Sequence, residues 1–248
     1  MKARILKKKF LTNDLEILWL QLSEKFEFKP GQYCTVGYKG VERAYSIVSS
    51  PLEKSIELFV EIVPASLKRE ESLTPKLCSL DIGTEVNVRP KPKGLFTLDP
   101  HFKKQVMVAT VTGIAPFMSM IRSYLKGYYP QKIEEPLYVF QGASYCDEFG
   151  YDEELREIAK STGKILYVNT VSRPQDPRNK IWLGDVGRVN LILDTYFKKL
   201  NITPRDTVVY LCGHEAMIDD LGNKKESPGE PLGKLVRKGF EIRSEIYF

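Results

Sequence analysis

The sequence predicts a two-domain β plus α/β protein, an antiparallel β-barrel followed by a domain with a parallel sheet, and three observations carry that expectation. Residues 5–99 hold short β-like runs separated by turn signals. After Pro100 the rhythm changes to strand then helix, repeated. The length of 248 residues accommodates two ordinary domains. The boundary is expected near Asp99, giving domains over 1–99 and 100–248.

In the first half, strands are expected over 17–22, 33–38, 44–48, 56–63 and 85–89, punctuated by Lys29-Pro30-Gly31, Ser50-Pro51 and Asp81-Ile82-Gly83. Short strands at this spacing suit a barrel, whose closure hides its edges. Residues 67–80 interrupt them as a helix, because Leu73, Leu77 and Leu80 recur at helical spacing. In the second half, strands over 106–110, 137–141, 165–171 and 208–212 alternate with helices over 115–125, 153–160, 189–200 and 215–221. Such alternation gives a parallel sheet whose ligands bind at the carboxyl ends of the strands.

Composition narrows the function classes. Hydrophobic residues at 42% and charged residues at 28% describe a globular chain with its own core. No apolar run approaches the roughly 20 residues that span a bilayer, and the basic start runs into Lys7-Lys8-Lys9 instead of an apolar segment, so the expectation is a cytoplasmic protein without a membrane span. An excess of 37 Lys and Arg over 32 Asp and Glu falls short of a nucleic-acid binder but suits an acidic protein partner. Cys34, Cys78, Cys146 and Cys212 form no CxxC pair, so no zinc or iron–sulfur ligand set is expected.

Three segments carry candidate chemistry. On the strand Arg43-Ala44-Tyr45-Ser46, alternation sends Arg43 and Tyr45 to one face. A ring beside a cation and a hydroxyl can serve a flavin by stacking, phosphate pairing and a hydrogen bond, although an isolated strand of this kind is more often an ordinary half-exposed one. Val111-Thr112-Gly113-Ile114-Ala115-Pro116-Phe117 follows an apolar strand and opens a helix, an amide-rich turn suited to a nucleotide phosphate, although such a turn is more often a plain connection. Leu211-Cys212-Gly213-His214 ends the last expected strand, which brings Cys212 to a ligand crevice or leaves it a small buried thiol.

Taken in order, these segments resemble the ferredoxin–NADP reductases, especially the compact bacterial flavodoxin/ferredoxin type. The resemblance spans essentially the whole chain and adds the Pro30-Gly31-Gln32-Tyr33 turn, the stretch from Ser72 to Leu77, the Val171-Ser172-Arg173 strand end and an aromatic terminus. It implies an FAD-binding barrel joined to an NADP-binding domain. Arg43 would contact the FAD diphosphate, Tyr45 would stack on the isoalloxazine, and Ser46 would bond its N5 edge. Ser72, Leu73 and Thr74 would hold FAD phosphate, while Glu61, Ile62 and Val63 would pass behind the ribityl chain. Thr112 and Gly113 would line the pyridine nucleotide site, Cys212 and Gly213 would flank the nicotinamide, and Arg173 and Arg188 would grip the 2′-phosphate. Ser46, Cys212 and Glu245 are the residues placed at the reacting centre, and Tyr247 or Phe248 is the ring expected to pack on FAD. Two positions depart from the pattern: Val111 stands where the family usually has glycine, and Ser144 where a basic residue is frequent.

The implied function is hydride transfer from NADPH to flavin, then single-electron transfer to ferredoxin or flavodoxin, by a monomer. Lys7 to Lys9, residues 89–93, Lys103-Lys104 and Arg237-Lys238 would form a basic docking rim. Two rivals stay open: an NAD(P)H-dependent reductase component of an oxygenase or other multicomponent system, and a regulatory flavin- or nucleotide-binding module without turnover. The absence of a cysteine ligand set argues against a reductase with a fused cluster.

Overall fold

The computed structural model describes residues 1–62, 72–130, 133, 135–224 and 232–246. They form two compact units, Met1–Thr97 with Ala115–Tyr129, and Leu98–Ile114 with Pro130–Phe248.

The first unit contains β1 (Lys2–Phe10), β2 (Leu15–Leu22), β3 (Tyr33–Tyr38), β4 (Val41–Ser46), β5 (Ile56–Glu61), α1 (Leu73–Ser79) and β6 (Glu85–Val88). The six strands are antiparallel in the order β4-β3-β6-β1-β2-β5. Ile47 bridges Leu58, and the Val48 amide donates to the Glu57 carbonyl at 2.8 Å, so the ends of the sheet meet and the barrel closes. Inward positions such as Ile5, Leu18, Val36 and Leu58 fill the interior together with Leu73 and Leu77 of α1. β1 was not expected, because three consecutive lysines obscure its alternation. A bulge between Ile5 and Lys7 resets the register there.

Helix α2 (Ala115–Leu125) belongs to this unit. Ser119 Oγ donates to the Ser49 carbonyl at 2.7 Å, Ser123 Oγ to Ser50 Oγ at 2.9 Å, and Arg122 pairs with the buried Glu57 at 2.7 Å. The two units therefore interleave along the chain: the nucleotide turn ends at Ile114, and the helix it opens packs on barrel segments.

The second unit contains β7 (Lys104–Thr110), β8 (Leu137–Ala143), α3 (Asp152–Thr162), β9 (Ile165–Val171), β10 (Asp185–Val186), α4 (Val189–Lys199), β11 (Thr207–Gly213), α5 (Glu215–Gly222), α6 (Lys234–Arg237) and β12 (Glu241–Ile246). Its strands are all parallel, in the order β10-β9-β8-β7-β11-β12. Every residue of β8 and β11 is buried, as central strands of a parallel sheet require. Phe197 of α4, Ile218 of α5 and Leu235 of α6 pack with Val106, Phe140 and Leu211 of the sheet. The chain winds outward through β8 and β9 and returns to the other side of β7 at β11. The carboxyl ends of β7 and β11 thus form the switch point where such sheets take their ligands.

The expected strand 165–171 and helix 115–125 have the bounds observed. The expected helix over 67–80 is present as Leu73–Ser79, and residues 67–71 lie outside the described residues. The expected strand over 56–63 ends at Glu61.

Candidate functional site

In the barrel, β4 is registered on β3 so that Cys34 lies opposite Tyr45 and Tyr33 opposite Ser46. The Ile47 amide donates to the Gln32 carbonyl at 3.1 Å, which sets the Pro30 to Tyr33 turn against the end of β4. Gly31 is required in that turn: its φ is +94°, and a Cβ would fall 2.0 Å from the Phe96 carbonyl oxygen. Arg43 and Tyr45 are half-buried while Glu42 and Ala44 between and beside them are exposed, the alternation expected. Tyr45 packs on the barrel core, and its hydroxyl bonds Thr74 Oγ1 at 2.9 Å. Burial pushes its phenol up to about 12. The bond ties β4 to the first turn of α1, so Tyr45, Thr74 and the neighbouring Ser72 and Leu73 are brought together. Arg43 Nη1 donates to the Glu42 carbonyl at 2.9 Å. Ser46 is buried at the end of β4. Glu61 ends β5 and Ile62 follows, its amide donating to the Asp14 carbonyl at 2.7 Å. Val63, Tyr247 and Phe248 lie outside the described residues.

In the second unit, one 3₁₀ turn, Val111–Ile114, leads out of β7. A Cβ on Gly113 would lie 2.2 Å from the Cys212 carbonyl oxygen, and one on Gly213 would lie 2.1 Å from Thr110 Oγ1. Two glycines therefore let the turns after β7 and β11 press together. The His214 amide donates to Thr110 Oγ1 at 2.7 Å and locks the contact. Cys212 is 0% exposed, registered between Ala109 of β7 and Glu245 of β12, so its thiol occupies a packed position in the sheet. Glu245 is half-buried. Val111 adopts φ +43°, a left-handed conformation that a β-branched residue enters only with strain. Its side chain packs against the cluster of Ala143, Phe149 and Val171.

The ends of β8 and β9 build a third group. Arg173, exposed after β9, donates from Nη1 to the Tyr145 hydroxyl at 2.6 Å. Arg178 lies over the same ring at 3.7 Å and pairs with Asp147 at 2.6 Å. Asn179, buried at 3% exposure, accepts from the Cys146 amide at 2.7 Å and donates to the carbonyls of Ser144 and Arg173, at 2.9 and 2.8 Å. It staples the loops after β8 and β9. Arg188 is exposed at the N-cap of α4, and the preceding Gly187 donates its amide to Val171 at the end of β9. Both predicted guanidiniums thus leave the chain near the end of one strand. Tyr145, Arg178 and Asn179 were missed by sequence reasoning, since their roles depend on pairing across 28 to 35 residues.

These residues fit the two implied cofactors. The two turns that Gly113 and Gly213 let pack into one cradle place the backbone amides of the Val111–Ile114 turn at the switch point, which suits a dinucleotide phosphate, and Tyr45 with Arg43, Ser72 and Thr74 supplies a flat ring, a cation and hydroxyls from adjoining elements. The expected basic rim is thinner than its sequence suggests. Lys8 pairs with the buried Glu16, Arg89 with Glu42, and Lys238 with Asp194, while Lys104 donates to the Asn201 carbonyl. Among the described residues, no helix is long and apolar enough to cross a membrane.

Residues 107–222 match the family model for the oxidoreductase NAD-binding domain. The chain is 30% identical over 239 residues to the ferredoxin–NADP reductase of Azotobacter vinelandii, covering 86% of this chain and 87% of that one. It is 28% identical over 232 residues to the flavodoxin/ferredoxin–NADP reductase of Buchnera aphidicola subsp. Baizongia pistaciae, covering 89% and 88%. Among solved structures, the ferredoxin NADP+ reductase from Neisseria gonorrhoeae with bound FAD and NADP is similar at a TM-score of 0.77 and 20% identity, over 100% of this chain and 98% of that one. Barrel, doubly wound sheet, glycine cradle and relatives agree: the chain belongs to the ferredoxin–NADP reductase family.

Proposed function

We propose that this protein is an FAD-dependent oxidoreductase that takes a hydride from NADPH and passes single electrons to ferredoxin or flavodoxin. The observation that carries the reading is the Gly113–Gly213 cradle at the switch point, in a chain whose barrel carries Tyr45 braced by Thr74. FAD, when bound, supplies the conversion of a two-electron donor into one-electron steps.

The remaining work falls to the chain. Arg43, Ser72, Leu73 and Thr74 grip the FAD diphosphate through a guanidinium, hydroxyls and backbone amides. Tyr45 would cover the flavin ring as a neutral phenol, and Ser46 would offer it a hydroxyl. Glu61 and Ile62 would support the ribityl chain. Thr112, Gly113 and Gly213 seat the nucleotide, with Cys212 as a packed thiol behind them and Glu245 beside it as a hydrogen-bonding carboxylate. Arg173 and Arg188 take the 2′-phosphate, where planar guanidiniums pair in bidentate fashion and favour NADPH over NADH.

The test is to purify the chain, identify any released chromophore as FAD, and assay NADPH-driven reduction of a ferredoxin or flavodoxin. A colourless chain that takes up no FAD contradicts the reading.

A further inference from the structure

We infer that Lys8 and Glu16 form a buried clamp that positions the flavin-phosphate segment through helix α1; this rests on the proposed role of Ser72 to Thr74. The bulge in β1 leaves Lys7 and Lys9 exposed and turns Lys8 inward, with its side chain only 12% exposed. There its ammonium lies 3.2 Å from Glu16, whose side chain is 0% exposed on β2. The same ammonium donates to the carbonyls of Cys78 and, at 3.0 Å, Leu80. Both belong to the carboxyl end of α1, where carbonyls lack intrahelical partners and a cation is favoured by the helix dipole.

α1 has seven residues, too few to hold a helix without tertiary support. Leu73 and Leu77 fix its inner face in the barrel core, the Thr74–Tyr45 bond fixes its first turn, and Lys8 fixes its last. Ser72 is the N-cap of α1 and Thr74 lies in its first turn, so their position depends on both ties. Glu16 serves as the counter-charge that allows an ammonium to sit there, since an unpaired buried charge is costly. Lys8 therefore acts as a positioning residue for FAD.

The test compares FAD affinity of the stripped protein and the phosphorus NMR of bound FAD in wild type, in Lys8→Met/Glu16→Met and in Arg43→Ala. Replacing both partners by apolar residues of similar volume removes the clamp without stranding a charge. The double variant is expected to stay folded, to bind FAD about tenfold more weakly through lost preorganisation, and to shift the diphosphate resonances while the visible flavin bands stay as in wild type. A general loss of structure would disturb ring bands and phosphate signals together. Affinity and phosphorus resonances equal to wild type in the double variant overturn the clamp. An Arg43→Ala protein with unchanged FAD affinity would instead overturn the proposed flavin site. If the double variant fails to fold, Glu16→Gln decides: weaker FAD binding with shifted phosphorus signals supports the clamp, and unchanged values overturn it.

Discussion

Gly113 and Gly213 tolerate no side chain, because a Cβ on either would fall little over 2 Å from an atom of the opposite segment, the Cys212 carbonyl oxygen or Thr110 Oγ1. Gly113→Ala must push the Cys212 backbone away, and a cost of at least about 2 kcal/mol is expected from overpacking, read as a lowered Tm with loss of NADPH-dependent activity. An alanine accepted at wild-type Tm and rate would refute the close approach. Val111 is the opposite case, a side chain where glycine would be easier. Val111→Gly removes about 1 kcal/mol of left-handed strain and also loses packing on the Ala143, Phe149 and Val171 cluster, so stability should change little while KM for NADPH falls. Tyr45 can be divided by substitution: Tyr45→Phe keeps the ring and loses the Thr74 bond, about 1 kcal/mol, whereas Tyr45→Ala should weaken FAD binding much further. Its titration gives a sign as well. The folded phenol ionises near 12 and the unfolded one near 10, so its contribution is fully present below about 10 and disappears as pH rises through 12. Tyr45→Phe should therefore flatten the alkaline loss of stability, measured as Tm against pH. At this scale the sequence displayed the residues of both turns, but it did not show that Val111 keeps the glycine conformation.

The elements hold the candidate groups in place through ties between distant segments. Asn179 joins the loops after β8 and β9, so Asn179→Ala leaves three backbone groups to find new partners and loosens Arg173 and Tyr145. Raised KM for NADPH with little change for NADH is expected, and an equal effect on both nucleotides would contradict the role given to Arg173. On the helical side, burial would raise the Asp220 carboxyl, but Asn190 and Lys234 outweigh it and hold the group below its ordinary range. A depressed carboxylate contributes stability that is present above the unfolded value near 4 and lost as pH falls through the lower folded value. Asp220→Asn should erase that acid-side loss, visible in acid unfolding of the α4–α5–α6 face. Most central elements were legible because buried parallel strands are nearly continuous apolar runs, as in residues 137–143 and 207–213. Strands without such a run were not. β1 hides behind three lysines and a bulge, and β12 mixes Glu241, Arg243, Ser244 and Glu245 with two isoleucines at the edge of the sheet.

For the whole molecule, the shift from short strands to strand–helix alternation revealed both architectures, since each follows from local periodicity. The interleaving of the units was hidden, because Ser119, Arg122 and Ser123 select their partners around Ser49, Ser50 and Glu57 only after folding. The same limit applied to charge. A run of lysines shows its number in sequence, but only pairing shows that Lys8 is internal and Lys238 is engaged by Asp194. The central claim is that this chain moves a hydride from NADPH to its own flavin. It is tested most directly by mixing the oxidised, yellow protein with NADPH or NADH without oxygen and following the visible flavin bands through one turnover. Rapid bleaching by NADPH, slower bleaching by NADH, and a loss of that preference in Arg173→Ala are expected. A flavin that NADPH leaves yellow would contradict the account.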